Sequence, residues 1–222
     1  MLVQIFEVQT PEEALALARL GVDHIGVLVG DGRFPRELPP VRAKAIFAAV
    51  PSGAKRVALS LSEDPEEVVR VILETRPDIL QIQAAIEDFS VAMTHALKSR
   101  VPGTPLMRAI PVVDGTSIVI AQSYDGIADF LLLDSYDQGT AQFGALGRTH
   151  DWRLSRRIVA SVGIPVILAG GLGPENVAEA IAAVGPAGVD SKTSTDCDGS
   201  HAKDLERVRR FHETARAAAL LL

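Results

Sequence analysis

The sequence predicts a (β/α)8 barrel, on three observations. Apolar strand-like runs alternate with helical periodicity from end to end, the alternation repeats eight times, and 222 residues is about the length of one such barrel. Alternation of this kind makes a parallel sheet, and eight repeats favour closure. An open doubly wound sheet is the competing solution, but its usual mark, a glycine-rich turn after the first strand, is missing at Val8-Gln9-Thr10. Residues 1–222 are expected to form one domain, since no linker, low-complexity segment or long charge run interrupts them.

The eight strands are expected near residues 2–8, 24–29, 56–61, 79–83, 105–110, 130–134, 165–169 and 187–192. Helices are expected to begin near Pro11, Pro40, Asp64, Ala85, Gly115, Trp152, Pro174 and Ala202, several with proline or an acid in the first turn. The longest connection runs from Asp134 to Trp152, a length that in a compact domain marks a functional loop, and it is expected to close over the barrel mouth. The tail Ala217 to Leu222 is apolar and fits either a packed last helix or a subunit contact, so a monomer or a homodimer is expected.

Composition narrows the function. A net charge of -6 gives no broad basic surface, which argues against nucleic acid or an anionic membrane as partner. The first ten residues carry no basic segment and meet Gln4 and Glu7 too early for a signal peptide, and no apolar run is long enough to span a membrane. Cys197 is the one cysteine, so no internal disulfide forms, and no Cys/His spacing suggests a metal site. A cytoplasmic protein is expected.

The strand at 165–169 runs into Gly170-Gly171 and then towards a helix. Two residues without Cβ atoms let a ligand approach the backbone, and a free helix N-terminus attracts anions. One β-α unit later comes a second, hydroxyl-rich turn, Lys192-Thr193-Ser194-Thr195. Barrels of this type often build one phosphate site from the turns after strands seven and eight. Gly170, Gly171, Lys192, Thr193 and Ser194 are therefore the candidate phosphate ligands.

Barrel chemistry sits where strands end. The polar residues there are Glu7, Arg36, Gln83, Arg108, Asp134 and Lys192. Asp134 closes Phe-Leu-Leu-Leu-Asp and is either a catalytic acid/base or a cap for the next turn. Arg36 is an anion contact or a surface ion pair, and Gln83 a hydroxyl ligand or a backbone partner. Arg108 could point into the barrel towards a carboxylate or phosphate, or form a structural pair with Asp134 or Glu7. His150 could reach a substrate when the long loop closes, Asp151 fits a helix cap, and Cys197 is read as an ordinary loop thiol.

These residues resemble a known family, phosphoribosylanthranilate isomerase. The matching stretches span nearly the whole chain: Thr-Pro-Glu-Glu-Ala with Leu-Gly-Val-Asp-His-Ile-Gly, Phe-Pro-Arg36, Leu-Gln-Ile-Gln, Leu-Leu-Leu-Asp134, Gly-Arg-Thr-His-Asp-Trp152, Leu-Ala-Gly-Gly-Leu-Gly-Pro-Glu-Asn-Val and Gly-Val-Asp190. The resemblance implies a phosphorylated pentose-type ligand and an Amadori rearrangement that needs a general acid and a general base but no cofactor. It makes Asp134 the acid. The family's base is a cysteine in a Lys-Ile-Cys-Gly run, which here reads Gln4-Ile5-Phe6-Glu7, and Phe6 cannot accept a proton. Glu7 is the provisional base, on condition that the strand ends or bulges there, because alternation would otherwise turn it away. Further departures are Ile82-Gln83-Ala84 for Leu-His-Gly, Gly144-Ala145-Leu146-Gly147 for the Gly-Gly-Thr-Gly loop and Lys192-Thr193-Ser194 for Ser-Ser-Gly. A sugar-phosphate isomerase is thus expected. A related enzyme acting on another sugar phosphate, or a silent barrel binding one, are the alternatives.

Overall fold

Each strand is a short apolar run, and most helices begin at a cap the sequence supplies. Thr10, Asp64, Ser90, Asp151 and Asp204 accept backbone N–H bonds in the first turns of α1 (Pro11–Arg19), α3 (Pro65–Thr75), α4 (Val91–Arg100), α6 (Trp152–Val159) and α8 (Leu205–Ala219). Pro39 precedes α2 (Pro40–Ala48), Gly115 precedes α5 (Thr116–Tyr124), and Asn176 precedes α7 (Val177–Val184). The computed structural model describes residues 1–221. Leu222, the last residue of the expected domain and apolar tail, lies outside the described residues.

The barrel strands are β1 (Leu2–Ile5), β2 (His24–Leu28), β3 (Lys55–Ser60), β4 (Ile79–Ile82), β5 (Leu106–Val112), β6 (Phe130–Asp137), β8 (Val166–Leu168) and β9 (Gly188–Ser191). They pair in parallel in the order β5-β4-β3-β2-β1-β9-β8-β6, and β5 pairs with β6 to close the ring. Closure rules out the open sheet. A two-residue strand, β7 (Gln142–Phe143), folds back antiparallel on the end of β6.

Alternation sorts the strand side chains into two cores. Phe6, Leu28, Val57, Leu59, Ile79, Met107, Ala109, Leu132, Ile167 and Ala169 fill the barrel. A larger set, including Ile5, Ile25, Leu80, Ile110, Leu133 and Val189, packs between the strands and helices such as α1 and α7. Truncating a fully buried leucine or isoleucine among these to alanine removes roughly 2–5 kcal/mol.

Four boundaries differ from expectation. The first strand ends at Ile5 rather than near Val8, because Glu7 adopts a left-handed conformation (φ 61°) that breaks the ladder. The fourth helix begins at Val91 rather than Ala85. The intervening segment is held as a turn by its carbonyls, three of which (Ala84, Ala85 and Phe89) accept from the Arg108 guanidinium. Regular helix also begins later than Pro174 and Ala202, after a turn at residues 174–176 and after a bridge between Asp196 and Lys203. In the tail, α8 is packed through Val208, Phe211 and Ala215, whereas Leu220 and Leu221 are exposed.

Candidate active site

Register puts two carboxyls at one level of the barrel. Leu168 pairs with Leu133 on one side and Val189 on the other, so Asp134 and Asp190 occupy the next rung on either side of Ala169. Leu132, Ile167 and Ala169 face the barrel interior, and two-residue alternation turns Asp134 and Asp190 the same way. Both are buried, and both line the same two small cavities at the mouth.

Asp134 is held in place by two donors. Its Oδ1 accepts from the Ser135 N–H at 2.8 Å, and its Oδ2 accepts from Gln83 Nε2 at 3.3 Å. Burial pushes its pKa up to about 6 against those two bonds, which favour the ionised form. Asp190 is pushed up to about 8, first by burial and then by the charge of Asp134, with Gln4 and Lys203 opposing. Among the described residues Asp190 Oδ1 has no hydrogen-bond partner, which is rare for a buried oxygen.

Gln83 ends a buried relay. His24 Nδ1 lies 3.0 Å from Gln4 Oε1, Gln4 Nε2 donates to Gln81 Oε1 at 3.3 Å, and Gln81 Nε2 donates to Gln83 Oε1 at 2.9 Å. Every amide donates towards Asp134, and for the chain to be complete His24 must donate through Nδ1–H. Burial lowers the His24 pKa and keeps the ring neutral. Gln83 is therefore an orienting partner of Asp134, at the lip of the same cavity.

The adjoining wall, after β1, is charge-paired. The left-handed turn at Glu7 meets the condition set by the sequence and brings its carboxylate to the mouth beside Phe6, whose ring occupies the space a Cβ on Gly26 would need. Both Glu7 oxygens are engaged by Arg36, one through Nε and the other through Nη2 at 3.0 Å, and Lys192 Nζ lies 3.4 Å away. Burial raises the Glu7 pKa, but the bonds and charges of Arg36 and Lys192 outweigh it, and the net shift is downward. A carboxylate so stabilised is a weak proton acceptor. Lys192 also sits 3.2 Å from Asp196, so its ammonium balances rim charge.

Beside the two carboxyls lies the cradle. Gly170, Gly171, Thr193 and Ser194 line a cavity with Asp134 and Asp190. Thr193 and Ser194 open a single 3-10 turn, where backbone N–H groups have no acceptor within the turn. Position 171 requires glycine twice over: its backbone is left-handed (φ 61°), and a Cβ there would meet the Arg148 carbonyl carbon at 2.6 Å. The long loop does lie over the mouth. A Cβ on Gly144 would come within 2.5 Å of Asp134 Oδ2, and the Phe143 carbonyl accepts from Gln83.

Arg108 is a correction. It does not reach the site: Met107 and Ala109 face the barrel, so Arg108 points outward between strand and helix. Its fully buried guanidinium donates to the carbonyls of Ile82, Ala84, Ala85 and Phe89 and lies over the Tyr124 ring. His150 packs behind Gly170, bonds Ser155 Oγ through Nε2 at 2.8 Å, and is lowered by burial to about 4. It lines other clefts than the one holding Asp134. Asp151 caps α6, and the half-buried Cys197 lines neither mouth cavity. Sequence reasoning gave Asp190 and Gln4 no role. The available signal was Gly188-Val189-Asp190, where alternation from a small interior residue turns the acid inward.

Fold and site together define a class: a (β/α)8 barrel whose mouth holds two buried carboxyls beside a cavity lined by glycines and hydroxyls. The family model described as N-(5'-phosphoribosyl)anthranilate isomerase matches residues 3–214. An N-(5'-phosphoribosyl)anthranilate isomerase of Methanocella arvoryzae is 40% identical over 96% of this chain and 97% of its own. The phosphoribosylanthranilate isomerase structure from Thermus thermophilus superposes with a TM-score of 0.81 at 28% identity, covering 99% of this chain and all of that one. A further isomerase structure, solved with reduced 1-(o-carboxyphenylamino)-1-deoxyribulose 5-phosphate, has the same fold (TM-score 0.81, 23% identity, 98% and 100% covered). The chain belongs to the phosphoribosylanthranilate isomerase family, a family of sugar-phosphate aldose–ketose isomerases.

Proposed function

We propose that the chain isomerises N-(5'-phosphoribosyl)anthranilate, opening its ribosyl ring and converting the aminoaldose into the aminoketose. The observation that carries this reading is Asp134, a buried carboxyl pushed up to about 6 at the mouth of a barrel of this family, next to an anion cradle. Protonation of the ring oxygen lets the C1–O bond break while the nitrogen lone pair forms a C=N bond. Loss of the C2 proton then gives an enolamine, and a proton gained at C1 and lost from the C2 hydroxyl gives the ketone. Hydrogen moves only within the substrate and through acid and base, so the electron count calls for no redox cofactor.

Asp134 is the acid, since burial leaves a usable fraction protonated near neutrality. Gly170, Gly171, Thr193 and Ser194 hold the phosphate through backbone N–H and hydroxyl groups, with Lys192 and Arg36 supplying positive charge at the rim. Gln83 orients the acid. The phosphorylated substrate is the partner, and every proposed group comes from one chain, which suits a monomer or a homodimer. We place the reaction in the cytoplasm; among the described residues no helix is long and apolar enough to cross a membrane. The relatives are named for this one reaction, which favours neither alternative.

The test is complementation of a tryptophan-requiring strain that lacks the isomerase. The wild-type chain should restore growth, and Asp134→Asn should fail while remaining folded and able to bind inorganic phosphate. Equal growth with Asp134→Asn would remove the acid assignment. No growth with folded wild type would remove the reaction.

A further inference from the structure

The rearrangement needs a base at C2, and the groups that could replace the missing cysteine are few. Phe6 has no lone pair, and both Glu7 oxygens are taken by Arg36. His150 lies behind Gly170 on a different cleft, and Cys197 borders neither mouth cavity. Asp190 remains. It shares both mouth cavities with Asp134, and its buried Oδ1 has no partner among the described residues.

We propose that Asp190 is the second proton-transfer residue: Asp134 and Asp190 share one proton, and the pair supplies both the acid and the base of the rearrangement. The inference rests on the reaction assigned above. The protonated carboxyl gives its proton to the ring oxygen as the C1–O bond breaks. A carboxylate of the pair then takes the C2 proton as the C1–C2 double bond forms and the C=N electrons return to nitrogen. That proton passes to C1, the enol O–H proton comes back to the pair, and the pair ends with one proton as it began.

The surroundings favour a shared proton. Asp190 faces Gln4 of β1 across the ladder and Asp134 of β6 at the same level, with Glu7 and Lys192 at the rim and Lys203 behind, where it is paired with Asp196. Two carboxyls in one buried site resist simultaneous ionisation. Ser135 N–H and Gln83 both donate to Asp134 and favour its charged form, so the proton rests on Asp190. It passes to Asp134 as the ring oxygen takes it up, which makes Asp134 the acid and leaves Asp190 as the carboxylate that accepts the C2 proton.

Isotope-edited infrared spectroscopy and steady-state kinetics on the wild type and Asp190→Asn test this together. The pair predicts a protonated-carboxyl band in the wild type at pH 7 that Asp190→Asn removes. It also predicts a kcat loss of about 10²- to 10⁴-fold with a small change in KM, and a bell-shaped pH profile that loses one limb. Asp190→Glu should recover part of the rate, which a packing role would not do. A wild type without the band, or an Asp190→Asn rate within about tenfold of wild type, overturns the pair. The wild-type band also decides the matter if Asp190→Asn fails to fold. A wild type that shows the band but does not turn over phosphoribosylanthranilate keeps the shared proton and removes the assigned reaction.

Discussion

The two walls of the barrel mouth handle charge in opposite ways. On the wall formed by β1 and the loop after β2, Glu7 is saturated by Arg36 and Lys192 and its proton affinity is lowered. On the wall formed by β6, β8 and β9, Asp134 and Asp190 have no cationic partner on their own rung, and their pKa values are pushed up to about 6 and about 8. Proximity to the mouth therefore does not identify a base. A paired carboxylate contributes to order at the rim, whereas an under-bonded one keeps lone pairs free for a substrate and costs stability to keep ionised.

Predictions that sharpen this contrast run from a lost scaffold to a small kinetic change. Arg108→Met should destabilise the fold by about 3 kcal/mol or more, because four carbonyls, three of them buried, lose a donor. Urea unfolding measures it, and a loss below about 1 kcal/mol would show that the 84–89 turn does not depend on Arg108. Asp190 makes stability depend on pH with a definite sign. Its folded pKa lies above its unfolded value, so the native state holds the proton more tightly, and stability falls as pH rises from the ordinary carboxylate range to about 8. The decline should be on the order of a few kcal/mol and should flatten in Asp190→Asn. Unfolding curves at pH 5 and pH 8 that coincide in the wild type would contradict the raised value. Glu7→Gln should be the mildest of the site variants, lowering kcat less than about tenfold, because its carboxylate is engaged in ion pairs.

Most of the scaffold was legible in the sequence, and the reasons are local. Eight alternations, prolines in first turns and caps such as Asp64 and Asp151 fix strands and helices with little tertiary input. Asp134 was legible because a carboxylate after four apolar residues stands out. Arg108 was not: β5 is apolar on both faces, so alternation carries no label for inside and outside. Glu7 needed the left-handed turn, and the one hint was that it stands where the family run has glycine. For Asp190 alternation from Gly188 displayed only the inward face, while its place beside Asp134 depends on register across β8, which no single strand displays.

The measurement that tests this account most directly is kcat/KM for freshly prepared N-(5'-phosphoribosyl)anthranilate with the wild type and Glu7→Gln side by side. Both should turn over, with the variant within about tenfold of wild type. No turnover by folded wild type would contradict the assigned reaction, and a loss beyond about 10²-fold in Glu7→Gln would return the base to the adjoining wall after β1.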